Sequence, residues 1–479
     1  MQQKTRREFV RDLAIGAGAV AISPYLLTGC APLLHPAPSH TNGTGWDLVP
    51  GILSRIVAPT FPERDFEITK FGAVAGGSSD CTDAFRSAID ACVKSGGGRV
   101  VVPEGKFLTG AIHLQSNVNL HVKKGATVLF STNPSHYLPV VLTRFEGVEL
   151  MGYSPLIYAL DCVNVAVTGE GTLDGQANND HWWPWKGTPE FGYKNGDPRQ
   201  IEARQKLLQM AEDGVDPSKR VFGEGSYLRP AFIEPYRCRN VLIEGVTIIN
   251  SPMWEIHPTL CQNVTVRGVH ISTFGPNNDG CDPESCSDVL IEKCYFATGD
   301  DCIAIKSGRN ADGRRIARPS ENIIIRNCEM RDGHGGVTIG SEISGGVRNV
   351  FAENCTMDSP HLDRALRLKN NAARGGLLEH IYMRYVTVGQ VTDSVLSIDL
   401  LYEEGAKGNF MPVIRDVEML DVTSRRSTYG VYIRGFERSE ITGVRLIDCD
   451  FANVAKGNVI EQASPVEFRN VKINGIPVT

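Results

Sequence analysis

One phrase recurs along this chain and limits what it can fold into. Cys238-Arg-Asn-Val-Leu-Ile-Glu-Gly-Val-Thr-Ile is echoed by Cys261-Gln-Asn-Val-Thr-Val-Arg-Gly-Val-His-Ile and by Cys286-Ser-Asp-Val-Leu-Ile-Glu-Lys-Cys-Tyr-Phe. Weaker copies begin near Gln115, Cys162, Ser320, Val347, Leu378, Ile414, Ile441 and Phe468, and neighbouring copies in the second half lie 23 to 36 residues apart. A unit of that length cannot bury its apolar side alone and must bury it against the next unit, which makes the chain a solenoid. Within each copy apolar residues alternate at period two, so each copy is a pair of short strands. Coils of three short strands, with equivalent strands running parallel about 4.8 Å apart, give an all-β parallel β-helix. A leucine-rich repeat would need a regular Leu framework and a fixed period, and this sequence has neither. Loops of unequal length leaving the same corner account for the variable spacing. The 479 residues therefore read as one solenoid domain over 61–479 rather than as three domains.

Near its start, Asp80-Cys-Thr-Asp-Ala-Phe-Arg-Ser-Ala-Ile-Asp-Ala-Cys has a capping Asp or Thr and apolar residues at Phe85, Ala88, Ile89 and Cys92. This predicts an amphipathic N-terminal capping helix laid over the open strand edge of the first coil. Thr188 to Glu224 breaks the rhythm with Pro, Gly and charged residues and holds a helical patch, Ile201 to Met210, so it reads as an insertion. Residues 1–30 read as an export signal. Thr5-Arg6-Arg7-Glu8-Phe9 precedes an apolar stretch from Leu13 to Leu27 that is too short for a comfortable membrane span. The paired arginines resemble a twin-arginine signal, and Leu27-Thr28-Gly29-Cys30 resembles a lipobox whose Cys30 becomes the lipidated N-terminus. Export to the periplasm or cell surface is expected, with membrane contact only through that anchor. Residues 31–60, rich in Pro, Ser, Thr and Gly, read as a flexible tether.

Removing Cys30 from the thirteen cysteines leaves twelve. Their recurrence at equivalent phases (Cys238, Cys261, Cys286; Cys294, Cys328, Cys355, Cys449) places them inside the coil as small apolar residues, with Cys281 and Cys286 as one conceivable local bridge. No Cys-x-x-Cys pair exists to build a structural zinc site. Lys plus Arg total 49 against 55 for Asp plus Glu, a formal charge of -6. A nucleic-acid partner is therefore not expected, and attraction to an acidic ligand must be local. No obligate protein partner is evident.

Four polar phrases fall in consecutive repeats: Asn277-Asn278-Asp279-Gly280, Gly299-Asp300-Asp301, Gly333-His334-Gly335-Gly336 and Arg367-Leu368-Lys369. Asp279 and Asp301 are 22 residues apart, about one coil, so stacking sets them one rung from each other in one groove. Asn-Asp-Gly alone is an ordinary turn sequence. Three acids, a His and two cations in one phase of four coils exceed turn chemistry. Crowded carboxylates repel, so one tends to keep its proton while the others stay charged, which supplies an acid and a base together. Hydrolysis of an acetal link needs both. Calcium would take three Asp oxygens, but His334, Arg367 and Lys369 would repel it, so no metal and no other cofactor is expected.

These same runs, GPNNDGCDPESC, TGDDCIAIKSG, GHGGVTIGSE and RALRLKN, resemble the four signatures of the family 28 glycoside hydrolases, the polygalacturonases: Asn-x-Asp, Asp-Asp, Gly-His-Gly and Arg-x-Lys. The likeness extends from about Phe66 to the C-terminus. It implies a right-handed parallel β-helix and inverting hydrolysis of α-1,4-galacturonosidic bonds in a pectic poly- or oligosaccharide. By motif, Asp300 resembles the general acid and Asp279 with Asp301 the base that activates water. His334 would support the acid's protonation, and Arg367 and Lys369 would hold the substrate. Lys306, Arg309 and Arg374 are expected to face the cleft as further cations for uronate carboxylates, and His257, one coil before Asp279, to line it. Trp182, Trp183 and Trp185 could stack on sugar, and packing at a loop base is the favoured reading. Asn278 and the Arg-Leu-Lys form resemble the bacterial exo-acting members, and the insertion from Thr188 to Glu224 would then wall one end of the groove. The alternatives are action on rhamnogalacturonan, a calcium-dependent lyase of the same fold, and a non-catalytic carbohydrate-binding β-solenoid.

Overall fold

The computed structural model describes residues 45–478, so the signal expected at 1–30 and the part of the tether at 31–44 lie outside the described residues. The repeated phrase forms one wall of a right-handed parallel β-helix. Arg239–Glu244, Gln262–Arg267 and Ser287–Glu292 stack in register, Val241 on Val264 on Val289, and the column continues through Ile323, Val350, Ile381 and Val417. The second half of each phrase forms a second wall, as in Thr247–Ile249, His270–Thr273 and Tyr295–Thr298. A third wall holds Ile303–Ile305, Val337–Ile339, Arg364–Lys369, Ser394–Asp399 and Tyr429–Arg434. Bridges at Ile256 and Cys281 carry it back to Ile233–Tyr236. This third wall bears the polar phrases and is called the cleft wall below. Its alternate residues, such as Ile303, Ile305, Val337 and Ile339, are buried in the coil, and each buried aliphatic side chain contributes about 1.5–3 kcal/mol.

The Asn or Asp before each Val of the phrase has a geometric reason. Asn164, Asn240, Asn263, Asp288, Asn322 and Asn349 all adopt positive φ between 56° and 59°, where the chain turns from the cleft wall into the first wall. Asn and Asp tolerate this left-handed conformation best among residues with a side chain. The amides then bond along the stack, Asn240 to Asn164 and Asn263 to Asn240 at 2.8 Å each. The cysteines stack likewise. The N–H of Cys238 donates to Cys261 Sγ at 3.3 Å and that of Cys261 to Cys286 Sγ at 3.4 Å. All twelve described cysteines are free and buried, so Cys281 and Cys286 form no bridge.

The helix Val49–Arg55 (α1) precedes the coil, and Thr82–Lys94 (α2) is the expected cap. Asp80 Oδ1 accepts from the N–H of Thr82, and Phe85, Ala88, Ile89 and Cys92 are buried over the first coil. The tether reading is corrected for residues 45–60, which form a docked strap on the outside of the first wall. Trp46 lies 5.4 Å from Phe351 and 6.2 Å from Tyr382 between ring centroids, under the Arg384 guanidinium at 3.8 Å. Val49 and Ile52 bury against Leu290 and Ile324, and Arg55 pairs with Asp288 at 2.6 Å. The outer faces of Leu290, Ile324, Phe351 and Tyr382 form an apolar strip that needs cover, and Trp46, Leu48, Val49, Ile52 and Leu53 supply it. Trp46→Ala should cost about 2 kcal/mol of stability through the lost ring and cation contacts. An unchanged melting temperature on calorimetry would show that the strap carries no stability.

Candidate active site

The cleft wall brings Asp279, Asp300 and Asp301 together, with one oxygen of each within 4.8 Å of the others. Asp279 is set by the turn at Asn277-Asn278. Asn278 is fully buried and uses its whole amide, accepting from Thr273 Oγ1 (2.7 Å) and the N–H of Gly275 (2.6 Å) and donating to the carbonyls of Ser251 and Met253. Asp300 and Asp301 follow the second wall one coil later. Asp300 remains 17% exposed, and its Oδ1 accepts from the N–H of Asp301 and from His334 Nδ1, both at 3.0 Å. Asp301 is buried and takes three donors: Thr338 Oγ1 (2.9 Å), Arg367 Nη1 (3.2 Å) and Lys369 Nζ (2.7 Å). The glycines around His334 permit this closeness. Gly333 has φ 142°, and a Cβ there would lie 2.3 Å from the Asp300 carbonyl oxygen; a Cβ at Gly335 would lie 2.2 Å from Thr338 Oγ1.

These surroundings divide the three acids. Burial and the neighbouring Asp300 charge push Asp279 up to about 7, with Lys306 pulling the other way. Burial would raise Asp301 too, but Lys369 and Arg367 outweigh it and hold that carboxyl far below the usual range. Asp300 is held low against its burial by the His334 hydrogen bond, and that bond raises the His334 imidazole to about 9. In the free site the proton of the Asp300–His334 pair therefore sits on the imidazole. A divalent ion among the three carboxylates would meet cations already at the same groups: Lys369 and Arg367 on Asp301, Lys306 on Asp279, His334 on Asp300.

Of the cations expected to face the cleft, Arg367 and Lys369 reach its surface while paired with Asp301. They line a pocket of about 290 Å³ with Arg364 and its partner Asp393, Ser397, Asp399, Tyr402, Tyr429 and Tyr432. Tyr402, whose ring lies 5.6 Å from the Arg367 guanidinium, sits on an irregular loop with no repeat phase to mark it. Lys306 is buried behind Asp279. Arg309 is only 4% exposed, and four carboxylates already surround it: Glu146 and Glu342 at 3.4 Å, Glu403 at 3.5 Å and Glu404 at 3.7 Å. Arg374 is fully buried on Glu403 (2.8 Å), Glu404 (3.4 Å) and Asn310 (2.9 Å). His257 is fully buried too, bonded to Glu284 at 2.8 Å and facing Glu234 at 3.6 Å. The expectation that these four touch substrate is corrected, because burial and saturation by carboxylates remove them from the groove.

What buries His257 is a lobe on the cleft wall. The hairpin of Val141–Phe145 and Val148–Gly152 lies over Glu234, His257 and Glu284, with Arg144 paired to Glu284 at 2.9 Å. Phe145, Val148 and Leu150 form a small second core with Leu207 and Ala211 of the helix Ile201–Glu212 (α3), and with Phe222, Met253 and Trp254. The insertion thus stands on this hairpin, whose sequence carries no repeat phase to mark it. Glu146 at its tip joins Arg204 of α3 (2.6 Å) to Arg309. Trp182 is buried and Trp183 and Trp185 partly so in the packing at the insertion's base, Trp182 lying 4.9 Å from Trp185.

Comparison with known proteins agrees with this geometry. The sequence model of Glycosyl hydrolases family 28 matches residues 223–463. The solved structure of a hyperthermoactive exopolygalacturonase from Thermotoga maritima is 49% identical, covering 91% of this chain and 97% of its own, with a TM-score of 0.89. An exo-poly-alpha-D-galacturonosidase of Dickeya chrysanthemi is 26% identical over 86% of this chain and 74% of its own, and a probable polygalacturonase of Vitis vinifera 27% over 82% and 75%. With its signatures stacked on one wall of a β-helix, the chain belongs to family 28 of the glycosyl hydrolases.

Proposed function

We propose that this glycoside hydrolase cleaves α-1,4-galacturonosidic bonds of polygalacturonate or its oligomers, removing galacturonate from the non-reducing end with inversion. The observation that carries the reading is a triad of carboxylates in opposed environments beside a pocket that holds Arg364, Arg367 and Lys369. Asp300, the exposed member, passes the proton it shares with His334 to the glycosidic oxygen as the C1–O bond breaks. A water attacks C1 from the other side and gives up its proton. Of the two buried acids Asp279 is the better acceptor, because Asp301 is held so firmly ionised that it has little proton affinity. Asp279 Oδ1 is buried with no hydrogen-bond partner among the described residues, so its lone pair is committed to no other group of the enzyme. Asp301 is a fixed anion that holds Arg367 and Lys369 in line to meet the uronate carboxylate of the leaving group.

The lobe supports action from a chain end. Every coil of a β-helix presents the same face, so a groove is open at both ends unless something covers it. Here the cleft wall is covered at Glu234, His257 and Glu284 and stays open beside Arg364, Tyr429 and Tyr432. The similarity to exo-acting relatives points the same way. Viscosity of polygalacturonate should fall slowly while monomer appears from the first minutes, and trimming the lobe in a folded variant should release longer products. A fast viscosity drop with a ladder of oligomers from the unaltered enzyme would overturn the exo reading.

Asp300→Asn should lower kcat by about 10²- to 10⁴-fold with little change in melting temperature. The pH profile of kcat/KM should rise as Asp279 loses its proton near 7 and fall as His334 loses its own near 9. Excess chelator should leave the rate unchanged, whereas a chelator-sensitive reaction restored by calcium would mark a lyase. The carboxylate oxygens lie closer together than the roughly 6.5–9.5 Å common to inverting pairs. The first product should nonetheless be the β-anomer by NMR, and initial α-galacturonate would mean retention.

Export with a lipid anchor at Cys30 is part of the same proposal, motivated by the ordered signal and by a substrate that is a cell-wall polymer. The strap at residues 45–60 docks on the first wall, not the cleft wall, and so does not itself cover the groove. Cys30→Ser should release the protein from membranes or block its processing; unprocessed protein in the cytoplasm would contradict the reading.

A further inference from the structure

The position of Lys306 gives it a different role from holding substrate. Its ammonium lies 3.4 Å from Asp279 Oδ2, 3.4 Å from Asp282 Oδ1 and 3.3 Å from Glu342 Oε2, with the Trp254 ring centroid 4.4 Å away. These groups come from three separate segments, at Trp254, Asp279 to Asp282 and Glu342, and together they leave the Lys306 side chain only 2% exposed. Asp282 is fully buried, and neither of its oxygens has a hydrogen bond. Glu255, buried one coil earlier, also has both oxygens unpartnered, and burial with the Asp279 and Asp282 charges keeps it protonated well above the usual range. Glu342 is the exception. Lys306 and Arg309 outweigh its burial and hold it firmly ionised. Behind the water site, then, Asp279, Asp282 and Glu342 compete at short range for a single ammonium, with Asp301 and Glu255 near and Arg309 drawing on Glu342 from the other side. In a dry interior such competition decides which carboxylates ionise.

We propose that Lys306 is a positioning residue for hydrolysis: its ammonium fixes the Asp279 carboxylate beside the water site and supplies its counter-charge, and Glu342 sets how much of that charge Asp279 receives. The inference rests on Asp279 being the base. It also explains why the cation was not available to a uronate. Every charged group it contacts is an acid of the enzyme itself.

The two partners should act with opposite sign, which a merely structural role would not produce. Without the ammonium, Asp279 binds its proton more tightly, so the acid limb of kcat/KM moves to higher pH. Without the Glu342 charge, Lys306 serves Asp279 more fully, so the limb moves to lower pH. A neighbouring opposite charge at this range typically shifts a carboxyl by about 1–3 pH units. The test is kcat and KM of Lys306→Met and Glu342→Gln on a galacturonate trimer across the pH range, beside Asp279→Asn. Lys306→Met should lose about 10²-fold or more in kcat at the wild-type optimum with KM nearly unchanged, and its acid limb should rise by about one unit while that of Glu342→Gln falls. A KM raised tenfold with kcat intact would make Lys306 a substrate ligand and overturn the proposal, as would limbs that stay in place or move together. If Lys306→Met does not fold, the near-isosteric Glu342→Gln decides alone: a limb moving down upholds the proposal, and a fixed limb overturns it. Normal turnover by Asp279→Asn would sink the base assignment itself. A dead Asp279→Asn with an unaltered Lys306→Met would sink only this inference.

Discussion

The rise of about 4.8 Å between successive coils is the constraint on which the rest of this structure depends. It forces side chains at equal phase into contact with their own kind. Apolar columns gain from this directly, since Val241, Val264 and Val289 exclude water together. Asparagines gain because an amide both donates and accepts, so the turn residues Asn164, Asn240 and Asn263 join into a ladder. Carboxylates lose by it. Asp279 and Asp301 on adjacent rungs repel, and the fold holds them there only because cations come with them.

Where the cations stand turns that repulsion into chemistry. Two cations and a hydroxyl converge on Asp301, one shared ammonium reaches Asp279, and a single imidazole meets Asp300. Three identical side chains thus acquire three proton affinities without any change in the backbone plan. Removing one cation would leave a buried charge uncompensated, which is costlier than losing the pair altogether. The same logic runs under the lobe, where Arg144, Glu284, His257 and Glu234 form a closed set with no group left for solvent.

Phase is what a repeating sequence reveals, and it was enough to find Asp279, Asp300, Asp301, His334, Arg367 and Lys369 on one wall. Phase says nothing of depth. His257 and Lys306 occupy the cleft wall as their positions in the repeat require, yet one lies under a hairpin and the other behind Asp279. The hairpin from Val141 to Gly152 comes from a coil far earlier in the chain, and no local pattern near His257 announces it. Arg309 and Arg374 lie on loops outside the repeat, where the carboxylates that neutralise them, Glu146, Glu403 and Glu404, come from equally irregular segments. The strap was obscured for a different reason. Its Pro and Gly content reads as tether, while Trp46, Val49 and Ile52 acquire meaning only beside the apolar strip of Leu290, Ile324 and Phe351.

The lobe and the catalytic cluster share a boundary, and this makes substrate mode and chemistry one problem rather than two. Glu146 at the hairpin tip meets Arg309, Arg309 meets Glu342, Glu342 meets Lys306, and Lys306 meets Asp279. The wall that would stop a chain from passing is thus continuous, through alternating charges, with the group that would activate water. Neighbouring links are opposite charges about 3.4 Å apart, so a shift at the hairpin tip changes the field at the base without any contact between them. Loosening the lobe alone would clear the groove only at a cost in turnover. The same loosening redistributes the cations on which Asp279 depends, so a variant with a through-running groove must replace the charge that Arg309 and Lys306 supply as well as clear the space.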